Sequence, residues 1–409
     1  TYPSQEEINK NWPKFRGPTG QGISLSTNAP IQWDAASGKN IKWKTPVPEL
    51  PGKNSPVVWD DKIFFSGGNE EKRKVYCYDT NTGKQLWQKP VAPRKPAGTE
   101  EPHIMEDTGY AASTMVTDGR RAYAIFANGD IAAFDFEGNE TWSKHLGTPE
   151  SVYGYAASLT IYQDTVLIEY DVLPDDHGNR QSKVIALEGK TGKYKWQKKR
   201  PVINSCTSPI IFDTPQGKQL ITCAEPFVIS YDPTTGGELW RSKCVYGDLA
   251  PSPVYGNELF LFTIPHESLI AIGLNDKTKP EQKWTAEKNI PDTASPLTNG
   301  ELAWLLTSNG KVHCIDMKDG SSVWTTKKLG MEFQSSPTLV GDKIYLMSNS
   351  THGTTIIIEA GREYREIGRN VLNDKIFASP AILDSRIYIR GDKYLYCIEA
   401  RAQRPQHGS

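Results

Sequence analysis

Apolar and polar residues alternate along this chain in short bursts, not at helical spacing. The stretch Val75–Trp87, reading VYCYDTNTGKQLW, shows the unit. A short apolar strand leads into a polar turn with glycine, and a second strand ends on tryptophan. The unit returns at Ile131–Trp142, Val184–Trp196, Val228–Trp240, Leu269–Trp284 and Val312–Trp324. Two copies are weaker. Ile356–Gly361 has no tryptophan after it, and Leu395–Ala400 has no second strand. Such self-similarity predicts one repeat architecture in place of the two or three domains that 409 residues alone would suggest.

The ends of the repeat array are complementary. Ile41–Pro46, with Trp43, matches only the last strand of a unit, and the final unit lacks that strand. This predicts a closed ring in which the N-terminal strand completes the last blade and hides the sheet edges. A second marker, a small residue followed by Ser-Pro or a variant, announces each first strand. It falls at Asn54–Pro56, Ala112–Thr114, Ala157–Leu159, Thr207–Pro209, Pro251–Pro253, Ala294–Pro296, Ser335–Pro337 and Ala378–Pro380. Both markers count eight. The expected fold is therefore an all-β, eight-bladed β-propeller of four-stranded antiparallel blades over residues 37–400. Residues 1–36 are expected to form an extension packing on it, and 401–409 a tail. In blade 1 the strands are expected at Ser55–Trp59, Lys62–Ser66, Val75–Asp79 and Gln85–Lys89. With strands A to D running outward from the axis, the D-to-A and B-to-C links share one face. The A-to-B and C-to-D turns share the other.

The Asp-x-x-Thr-Gly-x-x-x-Trp unit, as in Asp79–Trp87, resembles the pyrroloquinoline-quinone-type propeller repeat, as do Trp12–Pro18 and Ala378–Ile382 with Arg390-Gly391. The resemblance covers nearly the whole chain and implies an eight-bladed propeller of a kind usual in exported bacterial proteins. That family includes quinoprotein dehydrogenases, a propeller lipoprotein that helps outer-membrane assembly, and members without assigned activity. Its motifs specify fold more than chemistry. The dehydrogenases carry an adjacent cysteine pair against the quinone, and this chain has none. Their calcium-binding Glu-Asn pair and aspartate base have no residue-by-residue match either. Pyrroloquinoline quinone is therefore not expected.

Composition narrows the partners. The net charge is -1 with basic residues scattered, so no basic stripe argues for nucleic acid. No apolar run is long enough to span a membrane. The chain starts on a polar segment at Thr1, read as an exported, periplasmic chain whose signal has been removed. Cys77, Cys314 and Cys397 occupy one repeat position that elsewhere holds Ala or Ser, so they are expected as small buried thiols. Cys206, Cys223 and Cys244 lie close enough in sequence for one pair to bridge. No phosphate loop, His-Glu-x-x-His or Gly-x-Ser-x-Gly motif occurs.

Candidate chemistry gathers on the face of the D-to-A and B-to-C links. The two longest insertions, Pro90–Tyr110 and Asp171–Arg180, both belong to it, and long loops on a rigid scaffold commonly carry function. So do four of the seven histidines, His103, His177, His266 and His352. Glu106, Asp107, Asp171, Glu225, Asp248, Asp292 and Glu332 keep them company, and Tyr110, Tyr153 and Tyr155 stand just before first strands. Such a ring suits a divalent metal such as calcium, a glycan or acid-base chemistry. Polar residues also collect in loops for no further reason. Arg390 is read as a channel-mouth ligand or a structural ion pair, and Arg16 as a pin for the N-terminal segment.

Two function classes follow. The first is an exported, monomeric binding or scaffold protein for a protein or glycan on this face, with no cofactor expected. The alternative is an enzyme there: a quinone- and calcium-dependent dehydrogenase, or a metal-assisted polysaccharide lyase or hydrolase. In it His103 or Tyr110 would act as acid-base group and His177, His266 or His352 as ligands. Docking like that of the assembly lipoprotein requires an anchored N-terminus or an exposed apolar patch.

Overall fold

The computed structural model describes residues 2–96, 98, 100–276 and 278–400. The expected tail, 401–409, lies outside the described residues. The chain forms eight antiparallel blades around one axis, almost without helix. Blade 1 contains Val57–Trp59, Lys62–Gly68, Arg73–Asp79 and Gln85–Pro90, paired in that order. Its inner strands are buried along nearly their whole length, and its outer strand is mostly exposed. This follows from stacking: inner strands are covered by neighbouring blades on both sides, so their apolar runs need no alternation.

Closure occurs as the sequence predicts. Ile41–Pro46 pairs antiparallel with Tyr394–Glu399 as the outermost strand of blade 8, placing Trp43 opposite Cys397. The repeat unit explains how blades lock. In blade 1 the Asp79 carboxylate accepts the N–H groups of Asn81 and Thr82 at 2.9 and 2.7 Å, which sets the turn. Gly83 follows at φ +68°, and a Cβ there would lie 2.5 Å from the Trp43 ring. Trp43 Nε1–H donates to the Thr80 carbonyl at 2.9 Å. The tryptophan thereby clasps the turn of the next blade, a device shared by most blades, although Trp240 donates instead to Gln219 of its own blade. Trp87, Trp142, Trp284 and Trp324 make the same bond to the carbonyls of Phe136, Gly189, Met317 and Gly361.

The small position is explained by the same clasp. Cys77, Cys314 and Cys397 stand opposite Trp87, Trp324 and Trp43 at a bulge, as Ala133 does opposite Trp142. A larger side chain would compete with the indole for one site. All six cysteines are free, so the pairing open to Cys206, Cys223 and Cys244 does not form.

Two local departures have physical reasons. In blade 2 the residue equivalent to Ser55 is Thr114, one later than Ser113: Ser55 N–H donates to Thr114 Oγ1, and Thr114 N–H to Ser158 Oγ, at 3.0 and 3.1 Å. In blade 7, Gly368 stands opposite Ile357, where other blades place tryptophan. The N-terminal segment crosses there. The Ile31 carbonyl would lie 2.7 Å from a Cβ on Gly368, and Asn370 bonds both the Ile31 carbonyl and the Trp33 N–H. Trp33, supplied from the N-terminus, is buried in the cluster that joins this region to blade 8.

The rest of the N-terminal segment lines the inner strands from the side of the A-to-B turns. After a short capped helix, Gln5–Asn9, it pairs Trp12 with Val58 and bonds Pro13 to Thr117. Ile23–Ser24 then adds a parallel fifth strand to blade 7. Arg16 is buried and donates to the Pro296 carbonyl at 2.7 Å. Phe15 reaches the axis, where a cavity of about 150 Å³ is lined chiefly by Ser and Ala side chains.

Candidate docking face

The links after strands B and D are tied down before they reach solvent. The insertion Pro90–Tyr110 is anchored by Glu101, which accepts from Arg73 at 3.3 Å, Lys95 at 3.1 Å and Asn128 at 3.0 Å. Arg73 and Asp130 are buried beneath it, and His145 Nδ1 lies 2.8 Å from Asp130. Tyr110 is buried as well, with its hydroxyl donating to the Pro102 carbonyl. Burial, helped by Glu101 and Glu70, pushes that hydroxyl above its ordinary range, so it holds its proton.

A second anchor sits under the blade 3 links. Glu169 is the penultimate residue of a largely apolar strand, Thr165–Tyr170, and Asp171 follows that strand. Arg200 donates to Glu169 at 2.9 Å and to both oxygens of Asp171, and all three are buried. Burial raises Glu169 well above the usual carboxylate range, and the neighbouring Asp171 charge adds to this. One cation facing two carboxyls in a dry site favours a single negative charge, with the remaining proton on Glu169. Tyr155 lies in the same buried region, its hydroxyl pushed up by burial and then by Glu169 and Asp171. Thus Tyr155 and Asp171 lie in one buried region behind the surface, Asp171 paired with Arg200 and the Tyr155 hydroxyl without a hydrogen bond among the described residues.

The remaining candidates spread around the ring. His103 is 93% exposed, 3.8 Å from Glu70, and His266 is 75% exposed, 4.0 Å from Asp292. His177 and His352 are exposed on blades 3 and 7. Glu106, Asp107, Asp248 and Glu332 are also exposed, and Tyr153 is half-buried. Glu225 accepts the Gly247 N–H at 2.8 Å, linking blade 4 to the next crossing. Arg390 is buried. It donates to Asn54 and Ser66 and lies over the Phe65 ring, joining blade 8 to blade 1. Among the described residues no group of three or more His, Cys, Asp or Glu could hold a metal ion.

What the surface does present is apolar. Met105, Val152 and Leu173 are 42%, 55% and 40% exposed on three links of this face. The Met105 N–H donates to the Val152 carbonyl and the Leu173 N–H to the Glu150 carbonyl, each at 3.0 Å, so the three links form one platform. Ile104 and Tyr110 pack beneath it. Exposed carboxylates rim it: Glu106, Asp107, Glu150, Asp175 and Asp176.

The sequence matches the family described as outer membrane protein assembly factor BamB over residues 26–209 and 214–407. The chain belongs to that family. No curated protein matches the sequence significantly. Among solved structures, BamB from Moraxella catarrhalis superposes with a TM-score of 0.61 at 14% identity, over 87% of this chain and 100% of that one. A quinohemoprotein alcohol dehydrogenase from Comamonas testosteroni gives 0.67 at 13% identity, over 98% of this chain and 82% of that one. At such identities these likenesses establish the shared propeller fold. The BamB-family chain described here has no helix, among its described residues, long and apolar enough to cross a membrane.

Proposed function

We propose that this chain is an exported, periplasmic docking scaffold that holds a polypeptide partner on the platform of Met105, Val152 and Leu173. One observation carries the reading: large apolar side chains exposed side by side on rigidly anchored links, on the face without repeat constraints. A solvated apolar surface of this kind gains free energy when covered, and its acidic rim favours a partner with basic residues beside an apolar anchor. Membership of the BamB family supports an assembly role beside outer-membrane proteins. The spread of the four histidines over separate blades supports docking over metal-assisted chemistry.

We propose further that no quinone is held on the axis. The cavity there measures about 150 Å³ and is lined largely by small uncharged side chains. A planar tricyclic tricarboxylate needs more room and free cations, whereas the lysine that lines this cavity, Lys53, donates to the Asp107 carbonyl. Calcium and glycans remain subsidiary ligands for the exposed carboxylates, and the monomer is the expected state.

A photo-crosslinking residue placed at Val152, with a control at Leu239 on the outer strand of blade 4, tests the docking reading in cells. A discrete adduct with one envelope protein from position 152 and none from 239 is expected. Adducts only from position 239 would move the interface to the blade rim and refute the assignment.

A further inference from the structure

A second candidate site lies on the opposite face and does not depend on the docking reading. It is a cleft of about 550 Å³ between the N-terminal segment and the A-to-B ends of blades 2 to 5. Its walls are mainly apolar and aromatic: Ile8, Ile161, Tyr162, Phe212 and Tyr255. The volume falls within the range usual for small-molecule sites, roughly 300–1,000 Å³. Four charged side chains line it, and of these Asp118 is held by Arg121 and by the Tyr123 hydroxyl, which donates to it. Lys14 lines the cavity and is only 9% exposed, and no described residue accepts a hydrogen bond from its Nζ or pairs with it. The second lysine of the wall, Lys218, is already paired with Asp213 at 3.0 Å. An ammonium group buried without an anion costs free energy that a matching ligand would recover.

We infer that this cavity binds a small amphipathic carboxylate, its apolar or aromatic body against Tyr162, Phe212 and Tyr255 and its charged head on Lys14. Burial and the neighbouring Lys218 charge push the free Lys14 ammonium down to about 8, the strain expected of a cation awaiting its counter-ion. The N-terminal segment supplies both one wall and the cation. A propeller ring without that segment would therefore lack the site.

Calorimetric titration of the intact chain with indole-3-acetate and, separately, indole-3-acetamide tests this. The two probes share body and shape and differ in charge. The carboxylate is expected to bind at least about tenfold more tightly, the loss typical of one charge-assisted hydrogen bond. K14M should erase that preference while leaving amide binding in place. Equal affinity for the two probes, no binding of either at millimolar concentration, or an undiminished preference in K14M would each overturn the assignment. The comparison on the wild-type chain needs no variant, so it decides the matter even if K14M does not fold.

Discussion

The two faces of this propeller are built by different rules. On the side of the C-to-D turns, blades 1, 2, 4 and 6 repeat one device: an aspartate-capped turn, a glycine at positive φ and an indole from the preceding blade seated on it. Repetition there serves closure, and the N-terminal segment covers the centre. On the side of the D-to-A and B-to-C links only the hydroxyl residue that opens each first strand repeats. The links differ in length, are held by private anchors such as Arg73 with Glu101 and Arg200 with Asp171, and leave Met105, Val152 and Leu173 in solvent. The difference teaches where to look in a repeat protein: repeated residues report the scaffold, and departures from the repeat report what the scaffold carries.

The comparison can be broken most severely at an anchor. Arg200→Met leaves Glu169 and Asp171 buried without their cation and should cost about 3–5 kcal/mol, read as a lower urea midpoint. A loss under about 1 kcal/mol would mean that the cluster does not hold the links. On the repeated face, Gly83→Val places a β-branched side chain at positive φ and within 2.5 Å of Trp43. It should cost about 3 kcal/mol or more, and an unchanged midpoint would show the clasp to be dispensable.

A subtler probe is pH. Glu169 has its folded pKa raised, so the folded state binds the extra proton. Its contribution is fully present below the unfolded value near 4.5 and is lost as pH rises toward the folded value. Glu169→Gln removes that titration. The variant should match wild type near pH 5 and exceed it near pH 8, by about 1 kcal/mol for each unit of raised pKa spanned. Parallel stability curves would place the buried proton elsewhere. The smallest effect should come from His103→Ala: at 93% exposure the side chain contributes little packing, and the unfolding midpoint should not move measurably.

The fold was largely legible because its signals repeat. Tryptophan, glycine and aspartate recur at fixed offsets, and the unmatched Trp43 strand announced closure. Blade 7 looked degenerate because the N-terminal segment, remote in sequence, crosses at Gly368 and sets the Ile31 carbonyl where a side chain would stand. The candidate site was less legible. The histidines gave a signal of residue type, yet loops on separate blades keep them apart. Arg200 was overlooked because its partners come from another link, although a carboxylate in the apolar strand Thr165–Tyr170 calls for a buried cation. Met105, Val152 and Leu173 carry no motif. Only the fold shows that they are adjacent and uncovered.

The central claim is that the non-repeating face is the working face. The most direct measurement is the affinity of the partner captured at Val152 for the V152E/L173E double variant, with L239E as control. The account predicts at least about a hundredfold loss for the double variant, since charge at two apolar anchors removes a few kcal/mol of binding. It also predicts wild-type affinity for L239E and unchanged folding of both. Undiminished binding by V152E/L173E would contradict it.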